Sequence, residues 1–181
     1  MSSEFSLVGQ GRPTYWASVS ALAMVASGTD VFTITGAIGR RITPLMFGAS
    51  GVATASGAFS ISAVKRSTAN TGGTSTTRTA VPGLSSMNVS PTPPAKGLVR
   101  AYTANPTLGT LVGAMMSKRI TYGASTAAVV QVEARFDFRS HYCGPVELLS
   151  DEEVLALNLG GVTVTGGLLD AWVVWTEEYG L

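Results

Sequence analysis

Between Val130 and Arg139 apolar and polar residues alternate without a break. Val130, Val132, Ala134, Phe136 and Phe138 fall on one side, and Gln131, Glu133, Arg135, Asp137 and Arg139 on the other. Period two over this stretch predicts a strand with one dry face and one wet face, as a layer of an antiparallel sandwich requires. Gly57 to Arg66 repeats the pattern, with Phe59, Ile61 and Ala63 against Ser60 and Ser62. Val31 to Thr35 alternates and stops at Gly36. Arg40 to Phe47 predicts a further strand, in which Pro44 has no amide hydrogen and so marks an edge or a bulge. Leu98 to Tyr102 and Leu108 to Tyr122 also read as strands, the second broken at Gly109 and Gly113.

The end of the chain carries three more apolar stretches, Val146 to Leu149, Val154 to Leu159 and Leu168 to Thr176, cut by acidic or glycine turns. The last is the most apolar, so the core closes only when the whole chain is present. Trp172 and Trp175 fall on opposite faces of it. One belongs to the core; the other suits a subunit interface or a sugar-stacking platform. Tyr15 to Ala26 is ambiguous, because Trp16, Val19, Leu22, Ala23 and Ala26 fit a helical stripe while the Ser and Val content permits extended chain. Extended or mixed structure is the expectation. The count comes to about eight or nine strands, which predicts an all-β chain: an antiparallel two-sheet β-sandwich, jelly-roll-like. Residues 1–16, punctuated by Gly9, Gly11 and Pro13, are expected to form an extended N-terminal arm. Residues 17–181 are expected to form a single sandwich domain, interrupted by a long Ser/Thr/Gly/Pro-rich loop over 67–97 that shows no periodicity.

Composition adds a surface property. Only 13% of the 181 residues are charged and the formal net charge is +1, while one residue in three is Gly, Ser or Thr. An average soluble domain is about a quarter charged. Hydroxyls rather than charges keep this chain in water, which suits packing against other protein. Nucleic acid as a partner is not expected, because there is no basic run. No apolar stretch approaches the ~20 residues of a membrane-spanning helix, and the start Met1-Ser-Ser-Glu-Phe lacks the basic residues of a secretory signal. A single cysteine excludes an intrachain disulfide.

Candidate chemistry is sparse. His141 and Cys143 are the only residues of their kinds. Two apart on a strand, they point the same way and lack the third group and oxyanion site of a nucleophile pair. Asp151-Glu152-Glu153 with Glu147 lacks the spaced oxygen ligands and glycine of a calcium loop and reads as a solvated turn. Glu177-Glu178 reads as a charged stop that discourages edge pairing. Arg40-Arg41, Lys65-Arg66 and Lys118-Arg119 sit at strand ends; a phosphate-binding patch built from them would need them to converge. Thr71-Gly-Gly-Thr is no phosphate loop, since neither GKS/T nor a strand-to-helix context follows. Asn88-Val-Ser is a formal glycosylation triplet without a secretory context. No catalytic, cofactor-binding or metal residue is expected, and no small-molecule substrate.

Several segments resemble a group of small proteins encoded by tailed bacteriophages. They are Gly9-Gln-Gly-Arg-Pro-Thr-Tyr-Trp-Ala-Ser, Thr29-Asp-Val-Phe-Thr-Ile-Thr-Gly, Val64-Lys-Arg-Ser-Thr-Ala-Asn-Thr-Gly-Gly-Thr-Ser, Ala101-Tyr-Thr-Ala-Asn-Pro-Thr-Leu-Gly-Thr-Leu-Val-Gly, Leu155-Ala-Leu-Asn-Leu-Gly-Gly-Val-Thr and the ending Val-Trp-Thr-Glu-Glu. The likeness spans nearly the whole chain in matching order. It implies a virion-associated structural protein with no site residues to carry over. The expectation is a capsid decoration or cement protein, assembled in the host bacterial cytoplasm, with the major capsid protein or other virion proteins and further copies of itself as partners. A tail, collar or fibre component is the first alternative. A host-surface glycan-binding module is the alternative of another class. A coat protein that packages RNA is disfavoured, because the arm carries Arg12 as its one basic residue.

Overall fold

The structure, a computed structural model, describes residues 12–24, 28–83, 94–122, 132–139, 145–160 and 166–179. Among them there are eleven strands and no helix: β1 (Thr14–Ala23), β2 (Thr29–Thr35), β3 (Arg40–Val52), β4 (Gly57–Arg66), β5 (Thr74–Arg78), β6 (Val81–Pro82), β7 (Leu98–Ala104), β8 (Leu111–Tyr122), β9 (Val132–Asp137), β10 (Val154–Leu159) and β11 (Leu168–Tyr179). They form two antiparallel sheets that do not close into a barrel. One has five strands in the order β6-β1-β11-β3-β9, the other six in the order β5-β7-β2-β10-β4-β8. β1 pairs with β11, β2 with β10, β3 with β9 and β4 with β8. The final strand lies between β1 and β3, so the five-stranded sheet is complete only once the last element is in place.

The expected alternation is what fills the space between the sheets. Phe59, Ile61 and Ala63 of β4 and Ala134 and Phe136 of β9 are buried, whereas Ser60, Glu133 and Arg135 are exposed. Phe32 and Phe47 meet across the interior at 6.1 Å between ring centroids, and Phe138 stands edge-on to Phe47 at 6.3 Å. Trp175 is fully buried and stacks on Tyr15 at 5.6 Å. Pro44 sits beside a bulge, where the β3–β11 register slips between Val174 and Trp175, so its missing amide hydrogen leaves no gap in a regular ladder.

β1 explains the ambiguous stretch. Tyr15, Ala17 and Val19 alternate inward, and then the register shifts before Leu22, with Ala21 at φ 55°. The Asp170 carboxylate accepts a hydrogen bond from the Ala21 amide at 2.8 Å and holds this bulge. The spacing of three from Val19 to Leu22, which imitates a helical step, is a bulged strand. β1 begins at Thr14, and the Pro13 carbonyl accepts the Glu177 amide at 3.2 Å. Residues 14–16 therefore belong to a sheet rather than to an arm; residues 1–11 of the expected arm lie outside the described residues.

The segment 67–97, expected as one loop, contains β5 and β6; 84–93 within it lie outside the described residues. β5 is Thr-Ser-Thr-Thr-Arg and buries neither face, so no apolar rhythm announces it. Backbone pairing with β7 at the sheet edge holds it. Before β5 the chain folds back over the outer face of the six-stranded sheet. There Ser67 bonds to Thr110 (3.0 Å) and Thr71 and Thr107 exchange backbone bonds (3.0 and 2.7 Å).

Under that fold-back lies a buried polar network. Asp30 is fully buried and Arg66 is 4% exposed. Asp30 accepts four hydrogen bonds: from Arg66 Nε (2.6 Å) and Nη2 (2.9 Å), Asn70 Nδ2 (2.8 Å) and Asn158 Nδ2 (2.8 Å). Arg66 Nη1 donates to the Gly109 carbonyl (2.9 Å), and the Gly109 amide donates to Asn70 Oδ1 (2.9 Å). A side chain at Gly109 would run into the Thr68 backbone, so only glycine lets the two segments approach this closely.

Candidate functional site

The structure pairs off most of the charged residues that the sequence singles out. Arg66 is a structural cation buried against Asp30 rather than a surface charge. Lys65 pairs with Glu153 at 2.9 Å and donates to the Glu147 carbonyl at 2.8 Å. Arg41 lies 3.6 Å from both Glu147 and Glu178, and Arg12 pairs with Glu178. Lys118 rests over the Phe136 ring at 5.8 Å. Lys65, Arg41 and Arg12 are thus tied to carboxylates, sharing Glu147 and Glu178 between them, and Arg66 is taken up by Asp30, so these four do not stand free as a phosphate patch.

Glu153 is a tie between turn and strand rather than a free acid of a solvated cluster. Burial pushes its carboxyl up, but the Leu149 amide (2.6 Å) and the Lys65 ammonium outweigh that and hold it below its ordinary value of 4.5. A depressed carboxyl contributes stability that is complete above the unfolded-state value and is lost as pH falls through the folded-state value. Glu153→Gln is therefore expected to be less stable than the parent at pH 7. The difference should shrink on acidification below the ordinary glutamate range, as denaturant melts at neutral and acid pH will show.

Glu177 also departs from expectation. It is 2% exposed and accepts hydrogen bonds from the amides of Lys96 (3.0 Å) and Gly97 (2.9 Å) and from Trp175 Nε1 (2.9 Å). It is a buried clasp that fixes the entry to β7. Nothing in Thr176-Glu177-Glu178 distinguishes a buried glutamate from a solvated one, because the backbone amides it binds come from a segment some eighty positions away. His141, Cys143 and Asn88 lie outside the described residues. No group of three or more His, Cys, Asp or Glu that could hold a metal is present among the described residues.

Three surface features remain. A recess of about 90 Å³ is lined by Thr33, Arg100, Tyr102 and Asp151 on the six-stranded sheet. Strand β8, the outermost of that sheet, exposes Leu111, Val112, Met115 and Met116. Its pairing with β4 skips Val112 and Met115, so both are bulged residues.

The third feature is a groove of about 430 Å³ on the outer side of β1 and β11, where Trp16 and Trp172 share a wall with Thr77, Arg78 and Thr79. Trp16 is opposite Val174 and Ser18 opposite Trp172, which places both indoles on the same outer face of the sheet. The chain passes from β5 in one sheet to β6 in the other and straps this edge of the sandwich. Arg78 Nε donates to the Ser18 carbonyl at 3.0 Å and fixes the strap. The sequence marks one of Trp172 and Trp175, without choosing between them, for an interface or a platform, and burial of Trp175 leaves Trp172; Trp16 and Arg78, placed in the expected arm and loop, carry no signal of their own.

Comparison with protein-family models, with curated proteins and with solved structures finds no match to this chain.

Proposed function

We propose that this chain is a non-enzymatic structural protein of a tailed-phage particle, a head decoration or cement protein that binds the outer capsid surface as an oligomer. The observation that carries the assembly role is strand β8. Twelve residues long and last in its sheet, it presents four large apolar side chains to solvent in a chain whose surface is poor in charge. Apolar runs of this kind are interaction surfaces or aggregation liabilities. The bulges at Val112 and Met115 discourage indiscriminate strand addition, because a bulged edge cannot continue a regular ladder. They favour side-chain packing against one complementary surface instead.

The strand pairing supports the finer fold assignment. With the short insert β5–β7 set aside, eight strands remain. They pair first with last, second with seventh, third with sixth and fourth with fifth. A long antiparallel ribbon rolled up in this way is a jelly roll, an architecture used by viral capsid domains and also by lectins and cupins. Fold alone does not choose among these uses; the β8 surface and the resemblance to tailed-phage proteins favour the particle.

The test is binding to particles that lack the native copy. The parent protein is expected to co-sediment with them, at a copy number comparable to that of the major capsid protein. Val112→Glu/Met115→Glu should fold with an unchanged melting temperature, since both side chains are solvent-exposed, and should fail to co-sediment. A handful of copies per particle would move the protein to the tail or collar. Undiminished binding by the folded double variant would remove β8 from the contact.

A further inference from the structure

We propose that the groove between Trp16, Trp172 and the β5–β6 strap is a saccharide-binding site. The inference concerns a face of the molecule other than β8 and does not depend on where the protein sits in a particle.

The floor of the groove is built in an unusual way. Trp172 lies opposite Gly48 in the β3–β11 ladder. A Cβ placed on Gly48 would fall inside the Trp172 indole, against Cε2, Cζ2 and Nε1. An indole on the line of the missing Cα–Cβ bond lies over the β3 backbone. One ring face is covered by the strand and the other is turned outward, in keeping with the half-buried state of Trp172. Any residue but glycine at position 48 would push the ring off the sheet. The ring is therefore held flat before any ligand arrives, and little ordering entropy is lost when one stacks on it.

Trp16 is 53% exposed and stands at the other side of the groove, next to β6. Beside the two rings and the exposed Val81, Ser18, Thr77 and Thr79 bring short side chains with hydroxyls, and Arg78 a guanidinium. Arg78 uses Nε on the Ser18 carbonyl, and no carboxylate among the described residues engages its two Nη groups. Arg78 lines the groove, so these donors are within reach of a ligand there.

A ligand that suits this arrangement has a flat, weakly apolar face and a periphery of oxygen acceptors. A pyranose ring has both. Its axial C–H groups carry partial positive charge and meet the negative face of an indole, and its hydroxyl or carboxylate oxygens can accept from Arg78. The volume falls in the usual range for small-ligand sites. A nucleobase would stack equally well, but single-stranded nucleic acid also needs a cationic track for its phosphates, and among the described residues Arg78 is the one cation lining this groove.

The experiment uses the purified full chain. Neutral hexose oligomers (maltose and cellobiose series), amino-sugar oligomers (chitobiose series) and uronic-acid oligomers (from polygalacturonate) are titrated while tryptophan emission is followed. Saturation-transfer NMR serves as a second readout. One class is expected to shift and quench the emission. Trp16→Ala and Trp172→Ala should each weaken that binding at least about tenfold, with melting temperatures near the parent. Gly48→Ala should weaken it as well, although both rings are retained, because it displaces the floor. Arg78→Ala should matter most if the uronic acids are the class that binds. Absence of binding by every class overturns the proposal, as does full binding by folded Trp16→Ala and Trp172→Ala. Loss of self-association in these variants, with no saccharide binding by the parent, would also overturn it and make the face a subunit interface.

Discussion

Replacing Asp30 with alanine is expected to cost about 3–5 kcal/mol of folding stability, the range for removing one partner of a buried ion pair. Without Asp30, Arg66 would be left charged and 4% exposed, with no carboxylate to compensate it. Asn70 and Asn158 would lose the same acceptor, and the fold-back over the sheet would lose the anchor that ties Asn70 to Gly109. Arg66→Ala should cost a similar amount for the complementary reason, a buried carboxylate left with two neutral amides. The double variant Asp30→Ala/Arg66→Ala is expected to be clearly more stable than the sum of the two single losses predicts, because it removes both charges together and leaves neither unpaired. Denaturant melts of the four proteins form a double-mutant cycle. Additive losses would mean that the pair is solvated in solution and that the network does not lock the fold-back.

That network shows where sequence reasoning reaches its limit. Periodicity located the strands that face the core, because a half-buried strand must alternate. Phe59, Ile61, Ala63, Ala134 and Phe136 are all inside. Pro44 announced an edge or a bulge, since a residue without an amide hydrogen cannot sit in an unbroken ladder; the interior place of β3 makes it the bulge. Of the two tryptophans on opposite faces, alternation required that one be inside; the structure makes it Trp175. What alternation cannot show is polar residues whose partners are distant. Asp30 meets Arg66, Asn70 and Asn158, and Glu177 meets Lys96 and Gly97. Each looks like a surface charge in its own segment, and only the topology reveals it as buried. β5 was missed for a related reason: an edge strand with both faces wet has no hydrophobic rhythm, only backbone pairing. The groove shared both difficulties, because Trp16, Arg78 and Trp172 come from three separate strands.

Phe136→Ala is expected to be among the most damaging single substitutions in the interior, at about 3–5 kcal/mol. Phe136 is fully buried and lies directly opposite Phe47 in the β3–β9 ladder. Phe47 in turn meets Phe32 of the facing sheet and the edge of Phe138. Removing the Phe136 ring leaves a void at the point where both sheets and β9 come together. β9 is the outermost strand of its sheet, so it has no partner on its far side to hold it while the core relaxes. The neighbouring residue gives the control. Arg135 is on the same strand, one position away and on the wet face, and Arg135→Ala should stay within about 0.5 kcal/mol of the parent. The contrast is a direct test of register, because sliding a strand by one residue exchanges its two faces. Comparable losses at 135 and 136, or a larger one at 135, would mean that β9 pairs with β3 in a different register. The core drawn from the Val130–Arg139 alternation would then be wrong at its clearest point.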